Sequence, residues 1–208
     1  MSLSTWLSFF AASWAISLSP GAGAIAAMSA GQAHGFARGY FMTLGLILGV
    51  LTQLVLVGAG LGALIAASSL AFTTVKWLGV AYLVYLGVQQ WRAPAKPLVA
   101  PAEGARQVSR RELLLRGWAI NATNPKATLF LLAVAPQFLT LTEPLLPQYA
   151  TIGATLCFTD AVVMAGYTLL AARVLAALRS PRQIKLMNRT FGTLFIAAGT
   201  LLALFKRA

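Results

Sequence analysis

No Asp, Glu, Lys or Arg occurs before Arg38, and none occurs between Gly39 and Val75, a run of 37 residues. Few folds are open to a chain that omits charge over such lengths. In lipid every backbone N–H and C=O must be satisfied internally, which leaves helices and closed barrels as spanning structures. The run is too long for one span of about 20 residues, but it suits one helix, a turn and the start of another. The rest of the 208 residues agree, being 59% hydrophobic and 10% charged. A soluble domain carries about 25% charge, so the chain reads as a polytopic membrane protein.

The apolar pattern predicts an all-α protein of six transmembrane helices, at roughly 4–30, 39–66, 70–91, 117–138, 147–172 and 188–206. The start from Met1 to Thr5 has no basic region, and the apolar segment behind it is too long for a signal-peptide core, so the first segment is expected to stay as a span. Spans one and two join around His34-Gly35-Phe36, and spans two and three near Ser68-Ser69. Residues 92–116 hold Pro94, Pro97 and Pro101 with six basic residues, so they read as an extended, mobile loop. The first, third and fifth loops hold 12 of the 16 basic residues. The positive-inside rule makes these loops cytoplasmic and both termini external, with Lys206 and Arg207 opposing.

Residues 1–91 and 117–208 each supply three spans. An odd number means that a duplicated unit enters the membrane upside down. Lys76-Trp77-Leu78-Gly79 near the start of span three resembles Arg189-Thr190-Phe191-Gly192 near the start of span six. Two inverted three-helix repeats are therefore expected, with a site where they meet near the midplane.

Both halves carry a proline break in their first span: Ser19-Pro20-Gly21-Ala22-Gly23 and Asn124-Pro125-Lys126. Proline removes a helix hydrogen bond and clashes with the carbonyl one turn back, and Gly21 and Gly23 ease the unwinding. A half-helix beginning after each break would present free N–H groups and a positive dipole end to a carboxylate. Pro20, Gly21, Gly23, Asn121, Asn124, Pro125 and Lys126 are the substrate-binding candidates. A packed kink is the alternative, one commonly met for a single proline. The matched pair with polar neighbours favours a site.

Lys126 and Asp160 are the charges deepest in the spans. Intramembrane charge is costly and is kept for a partner or a task. Lys126 can hold a carboxylate or pair with Asp160, and Asp160, near the middle of span five, suits proton coupling. A purely structural ion pair between them is the alternative reading. Asn121, Thr123 and Asn124 either line a cavity or satisfy carbonyls freed by Pro125. Gln53 and Tyr167 are further cavity candidates; an interhelical bond fits Gln53 equally, and a core or interface position fits Tyr167. Lys76 reads as snorkelling beside Trp77, His34 as interfacial, and Cys157 as packing.

Several classes fall away. The net charge of +12 sits in short loops without interleaved aromatics, which argues against nucleic acid. No phosphate loop is present, and no metal-ligand cluster or nucleophile–base arrangement lies in the spans. No cofactor or metal is expected. The residues alone imply a small secondary transporter for a zwitterion or anion. A passive channel and an exporter of a basic metabolite remain alternatives.

The chain resembles the lysine-exporter superfamily of bacterial amino-acid exporters, and within it the homoserine/homoserine-lactone and threonine efflux branch. Leu18-Ser19-Pro20-Gly21, His34-Gly35, Val75 to Leu83 and Gly87 to Arg92 carry the resemblance. Asn124-Pro125-Lys126-Ala127, Pro136-Gln137-Phe138, Asp160 and Phe191-Gly192 complete it in order across the length. The resemblance implies a proton-driven inner-membrane exporter of small neutral amino acids and allows a homodimer. The family's first motif is often Pro-Gly-Pro, whereas Ala22 holds the third position here.

Overall fold

Helices in this chain begin where the sequence offers a cap and end where it offers a break. The computed structural model describes residues 1–67, 69–94, 108–140, 142–171 and 180–204, and within them every regular element is helical. Ser2 caps α1 (Leu3–Leu18) by accepting from the Thr5 amide. The helix stops at Ser19, which stands before Pro20 and is extended. α2 (Ala22–Ala67) follows and bends at Gly35, whose φ of 72° is open to glycine at little cost, dividing the helix into arms 22–34 and 36–67. α3 (Ser69–Arg92), α4 (Arg110–Ala122) and α5 (Pro125–Val134) come next, with a 3₁₀ turn at Ala135–Phe138. α6 (Leu145–Leu169) and α7 (Pro181–Leu204) complete the order.

The described residues of the expected spans are largely helical, with α1 and arm 22–34 falling in the first and α4 and α5 in the fourth. Ala22–Gly60 and Leu145–Leu169 are each long and apolar enough to cross a bilayer, by length and composition. Two boundaries need correction. Residues 110–116, expected in the extended loop, are the first turns of α4, because Ser109 accepts from the Glu112 amide in an S-x-x-E cap. α7 starts at Pro181 rather than 188, with Pro at its first position and the Ser180 carbonyl accepting from Ile184. The snorkelling expected of Lys76, the mobility expected of 95–107 and the charges Lys206 and Arg207 lie outside the described residues.

Burial is inverted relative to a soluble protein. On α2 the polar Gln53 is 2% exposed, while Val55 and Leu56 nearby are 69% and 66% exposed. This is the pattern of a helix facing lipid on one side and protein on the other.

Glycines set the helix crossings. A Cβ on Gly45 would strike the Leu114 carbonyl, and one on Gly117 the Met42 carbonyl, so α2 and α4 touch backbone to backbone. Gly87 of α3 and Gly192 of α7 do the same reciprocally, each Cβ meeting the other's carbonyl at 2.7 and 2.6 Å. Such approaches strengthen dispersion contact where lipid gives helices no hydrophobic reason to associate. Two apolar clusters fill the interior. One is built around Phe9, Leu54, Leu83, Leu131, Ile152 and Phe195, and the other around Ala27, Met28, Leu46, Leu113 and Met164. Both proline breaks face a cavity whose wall draws on the two clusters.

Candidate functional site

The two breaks are local twins. Ser19 before Pro20 has φ −71° and ψ 112°, and Asn124 before Pro125 has φ −75° and ψ 108°. Clash with the proline ring drives the preceding residue out of the helical region, so the X-Pro pair alone accounts for this shared geometry. Each break then opens a new helix. The Gly21 carbonyl accepts from Ile25 at the start of α2, and the Asn124 carbonyl from Thr128 at the start of α5.

Unwinding leaves carbonyls without helical partners, and side chains from other helices take them up. Tyr167 of α6 donates to the Leu18 carbonyl at 2.8 Å. Gln53 of α2 donates to the Ala122 carbonyl at 3.4 Å, to the Thr128 hydroxyl at 2.6 Å, and at 3.0 Å to the Asn124 carbonyl, which also accepts from the Thr128 amide. Asn124 accepts from the Lys126 amide at 3.0 Å and donates to the Asn121 side-chain oxygen at 3.1 Å. Asn121 in turn donates to the Leu46 carbonyl at 2.8 Å. The second break is held by the amides of Gln53, Asn121 and Asn124, with the buried Gln53 Oε1 left without a hydrogen-bond partner among the described residues.

Lys126 reaches across to the first break. Its ammonium donates to the Ser19 hydroxyl at 2.8 Å and the Ser19 carbonyl at 3.1 Å, and lies 5.3 Å from the centre of the Phe195 ring. A cation at the C-terminal end of α1 is favoured by the helix dipole, and the ring face adds a cation–π contact. Asp160 takes the Ser17 hydroxyl, which also lies 3.4 Å from the Thr159 hydroxyl. Lys126 and Asp160 do not meet within 4.0 Å. The direct ion pair between them is therefore not formed, although each charge lies within the other's field.

Both charges line one cavity of about 60 Å³, room for a few waters. Gly21, Gly23, Asn121, Asn124, Lys126 and Asp160 share its wall with Ser17 and Ser19. The remainder is apolar, with Leu46, Phe130, Leu131 and Met164 among it. Pro20, Gln53 and Tyr167 are not in the wall, and the side chain of Pro125 lies outside the described residues; Gln53 and Tyr167 bind carbonyls beside it. Sequence reasoning passed over Ser17 and Phe195. Ser17 stands two residues from Ser19 in an apolar helix, a signal that was available, whereas nothing local marks Phe195.

A cavity with one cation, one carboxylate and an apolar remainder presents complementary charges to the two ends of a small zwitterion. Two converging half-helices let that cavity reshape without breaking a continuous helix.

The LysE type translocator family model matches residues 14–205. A homoserine/homoserine lactone efflux protein of Salmonella typhimurium is 42% identical over 208 residues, covering all of both chains. An uncharacterised membrane protein of Vibrio cholerae is 42% identical over 206 residues, 99% of this chain and all of its own. A leucine efflux protein of an Enterobacter species is 29% identical over 191 residues, 90% of each chain. No solved structure gives a significant match.

Proposed function

The chain belongs to the LysE type translocator family, and from that premise we propose that it exports small neutral amino acids in exchange for protons, homoserine, its lactone and threonine among them. It is a multi-pass inner-membrane transporter rather than an enzyme, and homoserine/homoserine lactone efflux is the activity two full-length relatives carry in their names. One observation carries the finer reading: Lys126 and Asp160 line the same cavity between two broken helices without pairing to each other.

The substrate ammonium binds Asp160, and the substrate carboxylate lies toward Lys126 and the N–H groups at Gly21–Gly23. A carboxylate holds a proton or an ammonium, not both. Asp160 therefore takes substrate when the cavity faces inward, and gives it up for an external proton when the cavity faces outward. One carboxylate against one ammonium gives a cavity without net charge, which favours a zwitterion over a dicationic amino acid.

Six spans in two inverted repeats, 1–91 and 117–208 about the basic segment 92–116, form part of this reading. The crossing of α3 and α7 supports it. There Gly87 meets Gly192, Leu83 meets Gly199 and Trp91 bonds Thr193, so the two helices run in opposite directions. The basic odd-numbered loops then lie in the cytoplasm.

The test is export from proteoliposomes with an imposed pH gradient, offering homoserine, homoserine lactone, threonine, leucine and lysine. Saturable export of the neutral compounds that stops when the gradient is collapsed supports antiport over a passive pore. Asp160→Asn should abolish the response to the gradient; export by that variant at the wild-type rate and with the same pH response removes Asp160 from the mechanism.

A further inference from the structure

Span one does more than supply a break. Its two serines divide the site's two charges between them, Ser17 holding Asp160 and Ser19 holding Lys126 by hydroxyl and carbonyl. Both are at most 4% exposed, and both line the cavity. With Leu18 between them, their side chains project in different directions, one toward α6 and the other toward α5. The leucine is 41% exposed and takes no part in the cavity wall.

Each serine occupies the charge that a zwitterionic substrate would need. At about 60 Å³ the cavity has room for a few waters, less than an amino acid of about eight non-hydrogen atoms requires. Entry of substrate must therefore displace something that now fills the site. The ammonium of Lys126 is already met by two oxygens and a ring face, so a carboxylate can reach it only in competition with Ser19. The other polar groups of the wall are committed elsewhere: Asn121 and Asn124 are bonded to backbone and to each other.

We propose that Ser17 and Ser19 are internal surrogates for the two ends of the substrate, holding Asp160 and Lys126 in the substrate-free cavity and yielding to the substrate's ammonium and carboxylate when it binds. This rests on the amino-acid exporter reading above and adds a specificity rule to it. Ser19 competes only with substrates that carry a carboxylate. Ser17 competes with every substrate that carries an amine. An amino-acid lactone has the amine but no carboxylate, so the two serines are separable by substrate.

The experiment compares homoserine with homoserine lactone as substrates of reconstituted wild type, Ser19→Ala, Ser19→Thr and Ser17→Ala. Ser19→Ala should lower the apparent KM for homoserine roughly tenfold, the size expected for losing one competing hydrogen bond to a charged group, and leave that for the lactone unchanged. Ser19→Thr keeps the hydroxyl and should restore the wild-type KM. Ser17→Ala should change KM for both compounds in the same direction and to a similar extent. Equal shifts for the two compounds in Ser19→Ala, or no shift in either, would overturn the proposal, because a packing role does not distinguish a lactone from its acid. Should an alanine variant fail to reconstitute, the same KM ratio read on Ser19→Gly and Ser19→Cys decides the matter. Wild type that exports none of the neutral amino acids instead overturns the exporter reading on which the rule stands.

Discussion

At the scale of single residues, the site is organised by compensation. Two prolines break two helices, and the carbonyls so released are collected by Tyr167, Gln53 and Lys126. Gln53 illustrates the energetics. It makes contacts to two carbonyls and one hydroxyl from a position that is 2% exposed. Interhelical hydrogen bonds in membranes average about 0.6 kcal/mol, so removal of this cluster by Gln53→Leu should cost about 1 to 2 kcal/mol. Reversible unfolding in mixed micelles should register that loss, with transport reduced only as far as folded protein is lost. A wild-type midpoint would mean that water replaces the glutamine without penalty. Asn121 and Asn124 were open in the sequence between lining the cavity and satisfying carbonyls freed by Pro125; they line the cavity, and their amides bond the Leu46 carbonyl, each other and the Lys126 amide instead. The sequence left that open because an amide has enough donors and acceptors for two roles at once.

At the scale of helices, pairing is decided by where backbones can approach. Gly45 and Gly117 let α2 lie against α4, while Gly87 and Gly192 bring α3 onto α7. Valine at Gly117 or at Gly87 would drive a branched side chain into a fixed carbonyl, which costs more than ordinary overpacking of about 1–3 kcal/mol. The yield of monodisperse protein in detergent should collapse for both variants. Gly166 on α6 has open space where a Cβ would go, so Gly166→Ala should be silent in the same measurement. Helix ends were the least legible feature. The Ser109-x-x-Glu112 cap and the Ser180-Pro181 start were in the sequence, but hydropathy alone overlooked them because the first turns of α4 and α7 carry basic residues. A helix can extend beyond the apolar zone, and its hydrogen bonds do not register where lipid ends.

For the molecule as a whole, orientation follows from charge outside the helices. Cys157 is the sole cysteine, so a cysteine-free background needs one substitution. In that background Glu143→Cys should react with an impermeant maleimide on intact cells, and Arg111→Cys only after the membrane is opened. The reverse pattern would invert the assigned topology and the direction in which Asp160 meets its proton. The absence of charge over 37 residues placed the chain in lipid, where helices and closed barrels alone satisfy a backbone without water. An apolar run of that length suits helices rather than strands of about ten residues. The X-Pro pairs were likewise enough to place two breaks with nearly identical backbone, since the clash that causes them is local. Which side chains meet across those breaks was beyond the reach of the sequence. Ser19 and Lys126 are 107 residues apart and Ser17 and Asp160 143 apart, and Lys126 and Asp160 each bond a serine of span one rather than each other. Only the packing of α1 against α5 and α6 brings those groups within bonding distance. Residue order carries no record of such distances.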